Sequence, residues 1–195
     1  MPKARNLKEA NKANALYQRG EEDWRRGHLR SAFRFFLAAG KAGSEAARST
    51  IGCFYDQGMG VKADEDAALH WYRLAYRSGS NLAANNMGCI WRDRGKIDRA
   101  LMWFRRAVRL GDGDASLEIA KIYLKIKPDL KKALYYLHKV LRAKYVTEWS
   151  KDEAKRLLKE TRKIRIGLKT KPRGLAQTSP SKSARRRHFR SKDRG

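Results

Sequence analysis

Two cysteines (Cys53 and Cys89), four histidines (His28, His70, His138 and His188) and 46 lysines and arginines are the side chains with which this chain could do chemistry. Zinc binding and nucleophilic catalysis both need close pairs of such groups, and no histidine here lies within a helical turn of another histidine or of a cysteine. No phosphate loop, dinucleotide fingerprint or nucleophile elbow is present either. The residues therefore predict no catalytic site, no metal and no cofactor. What stands out is charge: 46 bases against 20 acids give a net +26 over 195 residues. Residues 159–195 hold 14 of the bases and 2 of the acids, which leaves the first 158 residues with a net +14, 32 against 18. A surplus of that size predicts a polyanionic partner.

Part of the charge is periodic, so the elements that carry it must be periodic too. Gly43-Ser44-x-x-Ala47-x-x-x-Ile51-Gly52-Cys53-x-Tyr55 returns as Gly79-Ser80-x-x-Ala83-x-x-x-Met87-Gly88-Cys89-x-Trp91, 36 residues on, and again as Gly111-x-x-x-Ala115-x-x-x-Ile119-Ala120-x-x-Tyr123, 32 further. A second motif keeps step: Ala32-Phe33-x-Phe35-Phe36, Ala68-Leu69-x-Trp71-Tyr72, Ala100-Leu101-x-Trp103-Phe104 and Ala133-Leu134-x-Tyr136-Leu137. Each motif reads as an amphipathic helix, and periods in this range are those of two-helix repeats. The fold class is all-α, a right-handed α-solenoid of about four helix pairs with a C-terminal capping helix.

Gly58-x-Gly60-Val61-x-x-Asp64-x-x-x-Ala68-x-x-Trp71-Tyr72-x-x-Ala75-x-x-x-Gly79 resembles the Sel-one-like repeat, a relative of the tetratricopeptide repeat with a longer loop between its helices. The next unit, Arg94-Gly95-Lys96-Ile97-Asp98-Arg99-Ala100, lacks that loop extension and is similar to an ordinary tetratricopeptide repeat. The resemblance covers roughly Ala13 to Lys144. It weakens at the ends, where Arg19 and Asp23 occupy apolar and aromatic places and Ala120 replaces a glycine. It implies a non-enzymatic protein-interaction scaffold. It also implies that cysteines are bridged within a unit when each unit has two, whereas this chain has one in each of two units. Across stacked repeats Cys53 and Cys89 would stand about 10 Å apart, too far for a disulfide. They read as small apolar fillers in a reducing compartment.

Four segments follow: a basic N-terminal segment over 1–12, the repeat solenoid over 13–149, a capping helix over 150–166 and a disordered basic tail over 167–195. Ser150-Lys151-Asp152-Glu153 has the form of a capping box. Ala154, Leu157, Leu158, Thr161 and Ile164 give the helix after it one apolar stripe to lay on the last repeat. The tail scatters Pro172, Gly174, Ser179 and Pro180 among bases and carries Arg185, Arg186, Arg187 and Arg190 around Phe189. Such a composition predicts disorder. With no apolar run of about 18 residues and no signal-peptide core, the chain is expected to be soluble and cytoplasmic. The resemblance suggests a bacterial host. In a eukaryotic one the arginine cluster would serve for nuclear import.

Two surfaces are candidates for binding. Lys41, Arg77, Arg109 and Arg142 occupy equivalent places near the ends of successive second helices, with Arg73, Arg105 and His138 a turn earlier. Stacking would align them as a basic ladder. The helix macrodipole by itself also favours cations there, though it does not explain the uncompensated total. By analogy with tetratricopeptide repeats, exposed first-helix positions line a concave groove: Ser49, Cys53 and Asp56, then Asn85, Cys89 and Arg92, then Leu117, Lys121 and Leu124. The amides of Asn85 and Asn86 suit a peptide backbone, and they equally suit a neighbouring loop. Two readings remain open. One is an adaptor whose groove holds another protein or peptide while the ladder and tail hold an anionic partner. The other is an RNA- or DNA-binding repeat protein that uses ladder and tail alone.

Overall fold

The computed structural model describes the backbone of residues 2–170 and the side chains of residues 7–163. Residues Met1–Lys159 form one compact unit, and Glu160–Gly195 form a second, whose described part is helix as far as Thr170. The described residues contain nine helices and no strand: α1 (Pro2–Arg25), α2 (Leu29–Lys41), α3 (Glu45–Gln57), α4 (Glu65–Arg77), α5 (Asn81–Asp93), α6 (Ile97–Arg109), α7 (Asp114–Lys125), α8 (Leu130–Arg142) and α9 (Glu148–Thr170). They pack as pairs, α1 on α2, α3 on α4, α5 on α6 and α7 on α8, with α2 on α3, α4 on α5 and α6 on α7 joining one pair to the next.

Local chemistry sets the boundaries. The hydroxyls of Ser44 and Ser80 accept from the backbone N–H of Ala47 and Ala83 and start α3 and α5. Asp64 and Asp129 cap α4 and α8 in the same way. Each is a side-chain oxygen taking up an orphan N–H of the first turn. After α2, α4 and α6 the chain turns at Gly43, Gly79 and Gly111, with φ of 101°, 94° and 93°, a conformation that favours glycine.

The core is a run of small residues against rings. Gly20, Gly52 and Gly88 on first helices lie under the rings of Phe36, Tyr72 and Phe104 on their partner helices. In the last pair Ala120 meets Leu137 in one buried cluster with Leu117, Val140, Ala154 and Leu157. The larger small residue therefore goes with the smaller partner. Ala154 and Leu157 place the N-terminal part of α9 over the final pair as its cap.

Three boundaries differ from the sequence reading; one is the end of the capping helix, since α9 runs on through residues 167–170, which the sequence reading assigns to the tail. Helix α1 runs unbroken from Pro2 to Arg25, so the backbone has no break near residue 12. No glycine or proline between Lys3 and Arg19 would interrupt it. The capping box expected at Ser150 is displaced by three residues. Thr147 is the cap: its Oγ1 accepts from the Ser150 N–H at 3.2 Å and donates to Asp114 Oδ1 at 2.9 Å, while Ser150 is buried inside the first turn. Glu153 pairs with Arg156 instead of returning to a cap. The anchor on Asp114 of α7 is a tertiary contact that local spacing could not show.

Candidate interaction surfaces

On the first-helix face, the structure ties up much of what the sequence left open. Ser49 Oγ lies 3.0 Å from Ser80 Oγ and braces α3 against the turn before α5. Asn86 donates its amide to the Tyr72 hydroxyl at 3.0 Å, so it serves α4. The Asn85 Oδ1 is buried and has no partner among the described residues. Asp56 is partly buried; burial, and then the nearby Glu65 and Asp93 carboxylates, push its carboxyl above the usual range.

Further along, Arg92 bridges Asp93 at 2.8 Å and, by a short contact, Glu118 of α7, which also takes Lys121 Nζ at 2.8 Å. Lys121 in turn stands 4.9 Å from the centroid of Trp149, a ring 63% exposed at the start of α9. Leu117 does not line this face. It is 1% exposed because the cluster under α9 absorbs it, and Leu124 packs against the same cluster. Trp149, beside Lys121, is an exposed ring at this end of the face. Sequence reasoning missed it because it lies outside the repeat register.

Cys53 and Cys89 are free and partly buried on this face. Burial pushes both thiols up, Cys89 to about 11. A raised pKa leaves less thiolate near neutrality. Cys89 is therefore expected to react with a disulfide reagent at pH 7.5 about tenfold more slowly than an ordinary thiol, because the loss of thiolate outweighs the greater nucleophilicity of the more basic thiolate. Reaction of both cysteines at the ordinary rate without denaturant would contradict it.

The opposite ends of α4 and α6 differ in charge. At their N-terminal ends acids are paired between repeats: Arg94, just past α5, reaches Glu65 and Asp66 at the start of α4 at 2.6 and 3.0 Å, and Lys127, just past α7, reaches Asp98 at the start of α6 at 2.8 Å. Exposed pairs of this kind add about 0–1 kcal/mol each, so their main effect is to cancel charge along that edge. At the C-terminal ends of the second helices, Lys41, Arg77, Arg109 and Arg142 are all exposed, and none has an ion pair among the described residues. Arg106, beside them, stacks on Trp103 at 4.3 Å and on Tyr76 of the preceding pair at 5.7 Å, which brings the ends of α4 and α6 together.

The inner row is less uniform. Arg73 donates to its own helix at Leu69 O, 3.1 Å, and Arg105 gives a guanidinium N–H to the Tyr123 hydroxyl at 2.8 Å. Arg105 is thereby directed to α7 and away from the row. Arg185, Arg186, Arg187 and Arg190 lie outside the described residues. Among the described residues no three metal-ligating side chains converge, and no helix is long and apolar enough to cross a membrane.

Helix pairs built on repeated glycine–ring contacts and stacked one on the next define an α-solenoid repeat protein. The Sel1 repeat model matches residues 51–80, 82–112 and 123–141, so the chain carries Sel1 repeats over these stretches. The match over 82–112 includes the unit with the short interhelix loop, so the loop extension is not required for the match. A Sel1 repeat protein from Oxalobacter formigenes is similar in structure, with TM-score 0.55 and 26% identity over 68% of this chain and 59% of that one. The protective antigen c5321 of uropathogenic Escherichia coli, which displays an SLR fold, gives TM-score 0.60 at 19% identity, covering 67% and 30%. An F-box protein, At1g70590 of Arabidopsis thaliana, is 32% identical over 88 residues, 45% of this chain and 25% of its own length. In each case this chain spans less than two thirds of the relative. Sel1 repeats generally act as protein–protein interaction scaffolds and are not typically enzymatic.

Proposed function

We propose that the protein is a non-enzymatic adaptor that holds a polypeptide on its first-helix face and an anionic partner on the basic edge and tail. One observation carries the reading: the acids at one edge are consumed in inter-repeat pairs, while Lys41, Arg77, Arg109 and Arg142 at the other edge have no such partners. On the first-helix face, the exposed Trp149 beside Lys121 would take an apolar side chain of the polypeptide. The proposed setting is the cytoplasm.

The test is purification at low salt without nuclease, followed by identification of whatever co-elutes. An adaptor retains one stoichiometric polypeptide, which is lost from a Trp149→Ala variant and kept by a variant lacking the basic edge. Nucleic acid alone, released as salt rises, would instead favour the second reading, a nucleic-acid-binding repeat protein. One sequence feature already supports that second reading: from Leu130 to Thr147 there are five lysines and arginines and no acid.

A further inference from the structure

Tyr135, His138, Lys139 and Arg142 stand at positions i, i+3, i+4 and i+7 of α8, and so on one face of the helix. Together they line a surface hollow of about 390 Å³. All four are exposed, Tyr135 by 61%. Its ring meets Tyr136 at 5.1 Å and 85°, which holds its orientation, and Lys139 Nζ stands 6.0 Å from its centroid. The macrodipole accounts for Lys139 and Arg142 in the last turn. It does not account for an aromatic ring left in water beside them.

We propose that this face of α8 is a subsite for single-stranded nucleic acid, in which a base stacks on Tyr135 and the flanking phosphates lie on Lys139 and Arg142. His138 supplies a further hydrogen-bonding group at the rim. The proposal rests on the reading of the basic edge as a polyanion surface and gives that polyanion a chemistry. A lipid surface would need contiguous apolar area to enter, and the hollow presents one ring among three basic side chains. A duplex hides its base faces, so a ring flanked by cations selects a single strand.

The experiment measures fluorescence anisotropy of a short labelled single-stranded oligonucleotide titrated with the full chain. Tyr135→Ala is expected to weaken binding about tenfold and Tyr135→Phe by no more than about twofold, since stacking needs the ring and not the hydroxyl. A duplex of equal length should be indifferent to Tyr135→Ala. A strand carrying 4-thiouridine should crosslink to the α8 segment. Tyr135 is exposed, so its loss does not threaten the fold.

Wild-type affinity of Tyr135→Ala for the single strand overturns the proposal. So does a Tyr135 dependence found only with phosphatidylserine-containing vesicles. A Lys41→Ala/Arg77→Ala/Arg109→Ala variant separates the two readings. If it weakens binding while Tyr135→Ala does not, the edge stands and the stacking subsite falls. If only Tyr135→Ala matters, the subsite stands and the edge reading falls.

Discussion

Removing Lys41, Arg77 and Arg109 together by alanine substitution is expected to weaken binding to a polyanion about a hundredfold at 0.15 M salt. The size follows from counterion release. Each phosphate neutralised by a lysine or arginine contributes about 0.7 to 0.9 to the slope of log affinity against log salt. Three lost contacts flatten the slope by roughly 2 to 3. If the lines for parent and variant converge near 1 M salt, the gap at 0.15 M is then about two decades. Binding should fall by a similar factor for every sequence tested, because phosphate contacts carry no base information.

The same substitutions should leave the fold intact. All three side chains are exposed and lack ion pairs among the described residues, and each lies in the last turn of its helix. The macrodipole gives each cation about 0.3–1 kcal/mol, so the triple variant costs at most a few kcal/mol of stability. Circular dichroism at the assay temperature checks this. An Arg94→Ala/Lys127→Ala variant removes two cations from the opposite edge, where they are already spent on Glu65, Asp66 and Asp98. It should change the salt slope little. Equal flattening by both variants would mean that total charge, not the edge, governs binding.

The difference between those edges also marks what the sequence could and could not show. The periodic cations were legible because equivalent residues recur at the repeat shift. The acids that cancel charge on the other edge were not, since Arg94 and Glu65 are 29 residues apart and Lys127 and Asp98 likewise 29. Their constant separation is a signal, but only once the helix ends that juxtapose them are known. Arg92 with Glu118, 26 apart, belongs to no repeating offset and is a tertiary contact between α5 and α7. Local caps at Ser44, Ser80 and Asp64 could be read directly. Thr147 could not be separated from Ser150, because the deciding contact is with Asp114, 33 residues away. In the first pair Asp23 fills an aromatic place, yet Trp24 packs beside it on Phe36 and Phe54 at 6.1 and 5.5 Å, so the ring arrives one residue late.

The glycine–ring pairs yield the second large effect, which concerns the solenoid itself. Gly88→Ala should destabilise the protein by about 2 kcal/mol, although alanine is the better helix former by about 1 kcal/mol. A Cβ at Gly88 would lie 2.5 Å from two ring carbons of Phe104, and that ring is fully buried with nowhere to retreat. Overpacking of this kind costs about 1–3 kcal/mol, or more where backbone must move. For a chain of this length, 2 kcal/mol lowers the melting temperature by roughly 4–8 °C.

The last pair suggests the rescue. Ala120 coexists with Leu137 where Gly88 coexists with Phe104, so the double change Gly88→Ala/Phe104→Leu installs in the third pair the combination that the fourth already uses. It should recover more stability than the two single changes predict by addition, a coupling expected of residues in direct contact. Because repeats interact with their nearest neighbours, the single change should expose amides of α5 and α6 to hydrogen exchange before those of α8. A Gly88→Ala protein as stable as its parent, or a double variant that is merely additive, would show that α5 and α6 can slide apart without cost and that ring size does not set their spacing.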